Sequence, residues 1–451
     1  MSVRLAAVTV LLAVERGRTT LAAEVDHARR SLSDDRDRAL LVELTTGTLR
    51  WLAELDPLVS QCSSRPLAGL SPGVRAVVRL GAYQLEHLDR IPPHAVLNEA
   101  VELTRTLGEP RAAGFVNAVL RTLGRSRQKL SLPPRPEAKT EARAAIAYLS
   151  TTLSHPSWLA ARWLERYGFD AAERWCQFNN SQPELTVRSL GRLDHRELLA
   201  ALRAADIDAT PAPFVADAIR LPPGSLGRVP PPLADELLVQ DEASQIVAHV
   251  VGASPGDRVL DLCASPGAKT VVLTADLQGR GLLVASDHRV ARVQLLRRTL
   301  HKAHSDARVV ALDATQALPF TAAFDRVLVD VPCSGLGILR RDPDLKWSRQ
   351  SEDLPGLALT QQAILERAAA VVRPGGTVVY ATCSSEPEEN EAVVQHFLAN
   401  DSRFAGVPAL SGPMVPNGAA LLDANGFLRT LPFRDGLDAF FAAVLVRRLA
   451  A

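Results

Sequence analysis

The stretch Val259-Leu-Asp-Leu-Cys-Ala-Ser-Pro-Gly-Ala-Lys-Thr270 joins a short apolar run to a turn of small residues, and a helix-like sequence follows. Leucines on either side of Asp261 are typical of a buried parallel strand, which Pro266-Gly267 then ends. A glycine there lets the backbone approach a ligand at the carboxyl end of the strand, where open α/β sheets bind nucleotides. We therefore predict that residues 259–270 form the first strand of a doubly wound sheet and its ligand loop.

The residues around this loop favour a nucleoside ligand over a simple phosphate. A phosphate-binding loop needs glycine at two fixed places before Lys269-Thr270, and those places hold Cys263 and Ala268. Asp287 ends the next apolar run, twenty residues after Gly267, where an acid can accept hydrogen bonds from ribose hydroxyls. The same carboxylate is equally suited to capping the following helix, so both interpretations of Asp287 stay open.

Two later apolar runs each end in a cysteine. The segment Phe324–Gly335 contains Cys333, and the segment Gly375–Ser385 contains Cys383. Because the carboxyl ends of parallel strands meet at one edge of a sheet, we expect both thiols to face the crevice beside the ligand loop.

Three motifs together resemble the RNA cytosine-C5 methyltransferases in order and spacing. They are the loop Cys263–Thr270, the segment Asp330-Val-Pro-Cys-Ser-Gly335 and the segment Ala381-Thr-Cys-Ser384. The resemblance implies an α/β Rossmann-like methyltransferase domain and S-adenosyl-L-methionine as the cofactor. One departure is Ala268, where the family usually has a second glycine; its methyl group should tighten the loop without abolishing binding.

The resemblance also implies a set of cofactor-binding residues. Lys269 suits a carboxylate of the cofactor or a phosphate, but a lysine that simply starts a helix is an equal alternative. Asp313 ends the third predicted strand, where methyltransferases of this fold place an acid near the adenine. The full set is Cys263, Ala264, Ser265, Pro266, Gly267, Ala268, Lys269, Asp287, Asp313 and Asp330.

The chemistry of cytosine explains why such an enzyme needs cysteine. C5 is a weak nucleophile until a group adds to C6, and a thiolate suits this addition best. By resemblance, Cys383 is the nucleophile and Cys333 helps to release the product. Asp330 can contact the amino group or protonated N3 of the base and so stabilise the charge that develops on addition. Two buried structural cysteines are the alternative, which their positions at strand ends beside a ligand loop disfavour.

The N-terminal part of the chain has a different pattern. Residues 1–130 carry apolar residues at three- and four-residue spacing, which predicts an all-α domain. The stretches Gly81–Leu85, Ile91–Leu103 and Phe115–Arg121 resemble the NusB-like RNA-binding domain found in one subgroup of these methyltransferases. That likeness implies ribosomal RNA of the small subunit, 16S ribosomal RNA, as the partner.

Composition changes divide the rest of the chain. Residues 131–140 are proline-rich and predict a stiff linker. Residues 141–235 are predicted to hold helices and a small α+β module, with strands at 185–188 and 218–221 around a helix at 196–204. Residues 236–451 are predicted to be the methyltransferase domain, closed by a strand pair at 427–432 and 440–447 that covers the sheet edge.

Basic residues suggest two places where RNA could be held. The cluster Arg121, Arg125, Arg127 and Lys129 suits phosphate binding, although a solvated helix end is an equal alternative. Arg340-Arg341 and Lys346-Trp347, after Cys333, suit an RNA clamp with a stacking ring.

Overall composition fits an ordinary globular protein of two or three domains, with 451 residues, 47% of them hydrophobic and 22% charged. The net charge is +1, but residues 1–135 hold 19 Arg and Lys against 14 Asp and Glu, and the remainder hold 32 against 36. Any affinity for nucleic acid must therefore come from local patches.

Cysteine usage and the N-terminus bear on the compartment. The five cysteines include no Cys-x-x-C pair, which disfavours zinc and a secreted disulfide framework. The apolar residues 1–14 predict a core helix, because charges follow directly and the run is too short to cross a bilayer. We expect a cytoplasmic and monomeric protein without metal or membrane association.

Two other functions stay open at this point. One is the same chemistry on transfer RNA or on another ribosomal site. The other is a non-catalytic RNA-binding assembly factor, which the presence of Cys333, Cys383, Asp330 and Asp287 disfavours.

Overall fold

The structure, a computed structural model, describes residues 2–17, 19–126, 129–137, 141–410 and 412–449. The chain divides into two compact units. The first unit consists of Met1–Ser181 and Leu339–Ser351, and the second of Gln182–Ile338 and Glu352–Ala451.

The first unit is helical, as predicted for the N-terminal domain. Side chains of Ser2, Thr20, Asp34 and Ser71 accept hydrogen bonds from the first turns of four helices and so fix where these begin. The helices are Val3–Glu15, Leu21–Arg29, Asp35–Arg50, Leu52–Cys62, Pro72–His87, Pro93–Thr106, Ala113–Ser126, Ala142–Ala147, Ser157–Tyr167, Phe169–Asn180 and Leu345–Ser348.

The apolar N-terminus is part of the core of this unit. Ala6, Ala7 and Val8 of the first helix are fully buried, together with Leu41 and Leu80 of later helices. Burying such side chains is the main stabilising contribution to a helical bundle. The prediction of a core helix at the start of the chain is confirmed.

The grouping of the helices differs from the predicted domain boundaries. Helices between 142 and 180 belong to the first unit, whereas we predicted them with the α+β module. Trp163 and Trp175 stack there at 4.6 Å, and the Ala53 N–H donates to Oγ of Ser154 at 3.0 Å. A proline-rich linker marks where one run of helices ends. The sequence does not show which part of the protein the following helices pack against. Residues 138–140 of the predicted linker lie outside the described residues.

The segment Leu339–Ser351 packs in the first unit although the chain on both sides belongs to the second. Its Lys346 is only 1% exposed. The ammonium group donates to the carbonyl oxygens of Arg50 and Ser154, both at 3.1 Å, and to Oδ1 of Asn180 at 2.8 Å. Burial lowers the pKa of Lys346 well below its usual value. Three acceptors match the three N–H bonds of an ammonium group, so the buried nitrogen is fully hydrogen-bonded.

These contacts correct the predicted RNA clamp. The Trp347 indole donates to the carbonyl oxygen of Leu49 at 2.7 Å, and the buried Arg340 guanidinium lies 3.9 Å from the ring centre of Phe178. Lys346 is buried and holds protein carbonyls instead of phosphates. Arg340, Lys346 and Trp347 are therefore packing residues of the first unit, and the prediction of an RNA clamp was wrong for these three.

The second unit begins with the small α+β module. Its four strands are β1 Leu185–Ser189, β2 Thr210–Pro211, β3 Ile219–Leu221 and β4 Leu237–Val239, in the antiparallel order β2-β3-β1-β4. The helix His195–Ala204 begins at a capping box formed by Asp194 and Glu197. The predicted strand-helix-strand pattern is confirmed, while β2 and β4 were not predicted.

The large sheet of the second unit has the order β10-β12-β9-β8-β5-β6-β7, with β11 paired to β12. Strands β7, β6, β5, β8 and β9 are parallel, and β10, β11 and β12 are antiparallel to their neighbours. The strands are β5 Arg258–Leu262, β6 Leu282–Asp287, β7 Arg308–Ala311, β8 Phe324–Asp330, β9 Val372–Thr382, β10 Phe404–Val407, β11 Leu428–Arg429 and β12 Phe441–Arg447. The helices are Pro231–Ala234, Glu242–Val250, Ala268–Leu277, Val290–Lys302, Asp353–Ala370, Glu391–Asn400 and Pro432–Asp435.

This arrangement confirms the predicted Rossmann-like sheet with one correction. The terminal pair β11 and β12 forms as predicted, but β12 lies between β9 and β10 instead of at the edge. Strand β10, Phe404–Val407, was not predicted.

The same described ranges bear on membrane association and on metal binding. No helix within them is long and apolar enough to cross a membrane. Those ranges also hold no group of three or more His, Cys, Asp and Glu side chains suited to a metal ion.

The buried lysine makes a stability prediction. In Lys346→Met, the carbonyl oxygens of Arg50 and Ser154 and the Asn180 amide lose their donor inside the first unit. Because unpaired buried acceptors destabilise a fold, we expect the free energy of unfolding to fall by about 1 to 3 kcal/mol. Urea unfolding followed by tryptophan fluorescence measures this in the first unit alone, since all five tryptophans lie there.

The exposed Lys129 provides the matched control, and Lys129→Met is expected to leave the urea midpoint unchanged. Equal midpoints for Lys346→Met and the wild type would contradict the stabilising role of the buried ammonium.

Candidate active site

The ligand loop turns sharply at the carboxyl end of β5. Gly267 has a φ of 109°, a conformation that favours glycine. A Cβ at this position would also lie 2.9 Å from Cδ1 of Leu296. The peptide between Ser265 and Pro266 is cis, and the helix Ala268–Leu277 begins directly after Gly267. The predicted strand, turn and helix are therefore all present.

Asp287, at the end of β6, is tied to this loop. Its carboxylate accepts hydrogen bonds from the Ser265 N–H at 3.2 Å and the His288 N–H at 2.9 Å. Nε of Arg292 reaches both carboxylate oxygens at 3.0 Å. The following helix begins after Arg289, and no side chain caps it. The structure thus disfavours the helix-cap interpretation of Asp287.

Asp313 follows β7 on the same side of the sheet. Its carboxylate accepts hydrogen bonds from the backbone N–H and the hydroxyl of Thr315 at 2.9 and 2.7 Å. These hydrogen bonds lower the pKa of Asp313 below its usual value. An ionised acceptor therefore stands at the third strand end, as predicted.

Buried polar atoms near the loop lack hydrogen-bond partners. Among the described residues, Oγ of Ser265, Oγ of Ser286 and Oδ1 of Asp261 have none. The other oxygen of Asp261 accepts from the Thr270 hydroxyl at 2.6 Å, and burial raises the pKa of Asp261 to about 7. Unpaired buried polar atoms are unusual and indicate a bound polar group. These residues therefore fit a cofactor that carries hydroxyl and amino groups.

Lys269 and Asp330 form an ion pair at 2.7 Å. Burial by itself would lower the pKa of Lys269, but Asp330 beside it raises the pKa above the usual value. The ammonium also lies 5.4 Å from the ring centre of Phe440. Lys269 is thus a fixed positive charge at the carboxyl ends of β5 and β8.

Strand register brings the two thiols together. Asp330 of β8 pairs with Ala381 of β9, and the chain runs on from these residues to Cys333 and Cys383. The two sulfur atoms are 3.2 Å apart. The hydrogen bond with Cys333 and burial raise the pKa of the Cys383 thiol well above its usual value. The two cysteines therefore lie side by side just beyond the ends of β8 and β9.

A glycine holds the Cys333 loop close to Cys383. The Gly337 N–H donates to the carbonyl oxygen of Cys383 at 2.9 Å. A Cβ at Gly337 would lie 2.7 Å from that oxygen and 2.0 Å from the carbonyl oxygen of Ala439. No larger residue fits without moving the backbone.

Sequence reasoning missed two charged residues of this region. Arg292 pairs with Asp287, and the buried Glu389 bonds to residues beside both cysteines. Arg292 lies in an ordinary basic helix, and Glu389 belongs to an acidic turn typical of a solvated surface. Neither pattern carries a signal for a site.

Family comparisons cover most of the chain. Residues 1–125 match the NusB family, and residues 155–224 match the ferredoxin-like domain of RsmF/B-like methyltransferases. Residues 248–446 match the 16S rRNA methyltransferase RsmB/F family.

Full-length relatives are similar over nearly the whole chain. Ribosomal RNA small subunit methyltransferase B of Pseudomonas putida is 34% identical, with 100% of both chains covered. The Yersinia enterocolitica protein of the same name is 36% identical over 93% of this chain and 92% of its own. The probable ribosomal RNA small subunit methyltransferase B of Bacillus subtilis is 33% identical, with 90% of each chain covered.

Solved structures share the fold. The crystal structure of PH0851 has a TM-score of 0.80 at 22% identity, covering 99% of this chain and 98% of its own. A methyltransferase homolog from Pyrococcus horikoshii has a TM-score of 0.57 at 24% identity, covering 67% and 99%.

The resemblance found in the three motifs and the expected cofactor are both confirmed by these relatives. The order of the domains, the loop after β5 and the paired thiols agree with the same assignment. The chain belongs to the ribosomal RNA small subunit methyltransferase B family, whose members are S-adenosylmethionine-dependent RNA cytosine-C5 methyltransferases.

Proposed function

We propose that the chain methylates C5 of a cytosine in 16S ribosomal RNA, with Cys383 as the nucleophile and Cys333 as the residue that assists product release. The observation that carries this assignment is the 3.2 Å distance between the two sulfur atoms at the ends of adjacent strands. The names of the full-length relatives support the small-subunit RNA as the substrate.

The thiolate of Cys383 adds to C6 of cytosine, which forms a carbon–sulfur bond and moves an electron pair toward C5. S-adenosylmethionine, when bound, supplies an electrophilic methyl group. Release then requires loss of the C5 proton and cleavage of the bond between Sγ of Cys383 and C6. Cys333 lies beside that sulfur and assists this elimination.

Asp330 and Lys269 act on the charge that develops during addition. Asp330 contacts the exocyclic amino group or protonated N3 of the base, and Lys269 holds the carboxylate at 2.7 Å. The Lys269 ammonium also favours the thiolate form of Cys383, opposing the effects of Cys333 and burial. Lys269 therefore favours the nucleophile, whereas the nearby Asp330 carboxylate raises the pKa of Cys383 and acts on the base alone.

The cofactor is held by Cys263, Ala264, Ser265, Pro266, Gly267, Ala268, Lys269, Asp287, Asp313 and Asp330. Ribose hydroxyls would bind Asp287, and the adenine would lie near Asp313. The Asp287 carboxylate already has contacts from two backbone N–H groups and Arg292. Since a carboxylate offers about four lone-pair positions and only three N–H groups now donate to Asp287, a position is left for a ribose hydroxyl.

The first unit selects the RNA in this proposal. Arg121, Arg125 and Lys129 are exposed and available to phosphates, whereas Arg127 lies outside the described residues. We further infer a cytoplasmic enzyme from the cysteine usage. We also expect a monomer, and sedimentation of the purified chain tests this state. The intact thiol pair disfavours a non-catalytic assembly factor.

The roles of the thiols are separated by two variants. Cys383→Ala is expected to abolish both methylation and any covalent RNA adduct, because C5 is never activated. Cys333→Ala keeps the nucleophile but impairs release, so methylated RNA stays attached when S-adenosylmethionine is supplied. A denaturing gel shows this attachment as a slowly migrating band.

Cys62→Ala is the control for these gels, since Cys62 belongs to the first unit and has no role in the proposed chemistry. An adduct with Cys383→Ala and none with Cys333→Ala would invert the assignment.

The hydrogen bond between the thiols also makes a pH prediction. Cys333 and burial raise the pKa of Cys383, so its alkylation by iodoacetamide should rise only at pH values above about 8.5, the usual thiol value. Removing the neighbouring thiol in Cys333→Ala is expected to shift this profile to lower pH, because the hydrogen bond with Cys333 no longer raises the pKa of Cys383. Mass spectrometry of the Cys383 peptide in the cofactor-free protein measures the profile, and an unchanged profile would contradict the coupling.

A further inference from the structure

Glu389 is a fully buried carboxylate beside the thiol pair. It ends the short 3-10 turn Pro387–Glu389, between β9 and the helix Glu391–Asn400, and is 0% exposed. A buried carboxylate is costly unless hydrogen bonds satisfy it. The hydrogen-bond donors around the Glu389 carboxylate therefore indicate its role.

Two residues that directly follow the cysteines donate to Glu389. The Ser334 N–H reaches Oε1 at 2.8 Å, and the Ser334 hydroxyl reaches Oε2 at 2.5 Å. The Ser384 hydroxyl donates to the same Oε2. Ser334 follows Cys333 and Ser384 follows Cys383, so one carboxylate joins both cysteine loops.

A fourth donor reaches Glu389 from another element. Nε2 of Gln361, in the helix Asp353–Ala370, donates to Oε1 at 2.8 Å. The same nitrogen is 3.1 Å from the carbonyl oxygen of Pro332, the residue before Cys333. Each carboxylate oxygen thus receives two donors, which suits an ionised carboxylate that only accepts.

The turn that carries Glu389 is itself fixed. The Tyr380 hydroxyl donates to the Glu389 carbonyl oxygen at 2.5 Å. Nδ2 of Asn390 donates to the carbonyl oxygen of Ser384 at 2.9 Å, and the Thr382 hydroxyl donates to Oδ1 of Asn390 at 2.5 Å. These contacts leave Glu389 little freedom to shift relative to the end of β9.

We propose that Glu389 is a positioning residue that holds Cys333 and Cys383 at the distance their chemistry needs. It contacts neither thiol in the described hydrogen-bond network, but it fixes the residue after each of them. The hydroxyl oxygens of Ser334 and Ser384 are 3.2 Å apart, the same separation as the two sulfur atoms. The inference rests on the proposed roles of the two cysteines.

The test uses the full-length protein with Glu389→Ala and, as a second variant, the double substitution Ser334→Ala with Ser384→Ala. The double variant leaves the buried carboxylate two of its donors and so keeps the test valid if Glu389→Ala fails to fold. Because a misplacement of about 1 Å costs up to about 100-fold in rate, we expect kcat to fall about 10- to 100-fold. The KM for RNA and the affinity for S-adenosylmethionine should stay unchanged.

A second readout measures the distance between the thiols without any RNA. Diamide oxidises two neighbouring thiols to a disulfide and takes up the two hydrogens itself, so its rate reports how often Cys333 and Cys383 meet. We expect slower formation of this disulfide in both variants, measured as cross-linked tryptic peptides. Glu391→Gln is the control, because Glu391 starts the next helix and pairs with Arg429 away from the serines.

The outcomes separate the two proposals. Slower disulfide formation with a reduced kcat supports Glu389 as a positioning residue. An unchanged disulfide rate and an unchanged kcat in the double variant would overturn it. If disulfide formation slows but the RNA adduct forms on Cys333, the positioning role of Glu389 is supported. The assignment of Cys383 as the nucleophile is then wrong.

Discussion

The register between β8 and β9 is the constraint on which the site depends. Asp330 pairs with Ala381, so the two strands end at the same level and their following residues enter the same space. Cys333 and Cys383 approach to 3.2 Å for this reason. A slip by one residue would turn alternate side chains to the other face of the sheet and separate the thiols.

Other features of the site stabilise the close approach of the two thiols that the strand register produces. Gly337 lets the Cys333 loop lie against the Cys383 backbone, and Glu389 joins the residues after both cysteines. Lys269 brings a positive charge from the loop after β5 to Asp330 at the end of β8. Three strands of one parallel sheet thus carry, at their carboxyl ends, the loop after β5, Asp330 and Cys383, to which we assign cofactor binding, the base contact and the nucleophile. Placing these groups on rigid elements favours accurate geometry.

The sequence predicted the parts of the fold that local patterns encode. Apolar runs ended by Gly, Pro or Cys identified the parallel strands, and helical spacing identified the N-terminal domain. The cysteines at strand ends were predictable because parallel strands present their carboxyl ends together. The loop around Gly267 was predictable because few residues adopt its backbone conformation.

The features that the sequence did not predict depend on contacts with residues far away in the chain. Lys346 beside Trp347 has the composition of an RNA contact, but backbone carbonyls of Arg50 and Ser154 take its hydrogen bonds. Glu389 stands in an acidic turn, and only the fold brings four donors to it. The helices between 142 and 180 belong to the first unit through packing that no local signal records. The positions of these residues depend on contacts between parts of the chain that are far apart in sequence.

The central claim, that Cys383 forms the bond to C6, is tested most directly by trapping the adduct on RNA that contains 5-fluorocytosine. Fluorine at C5 does not leave as the C5 proton does, so the covalent complex persists after methyl transfer. Tryptic digestion and mass spectrometry then identify the cysteine that carries the nucleotide. The account predicts the nucleotide on the peptide that contains Cys383. A nucleotide on the peptide that contains Cys333 would contradict it.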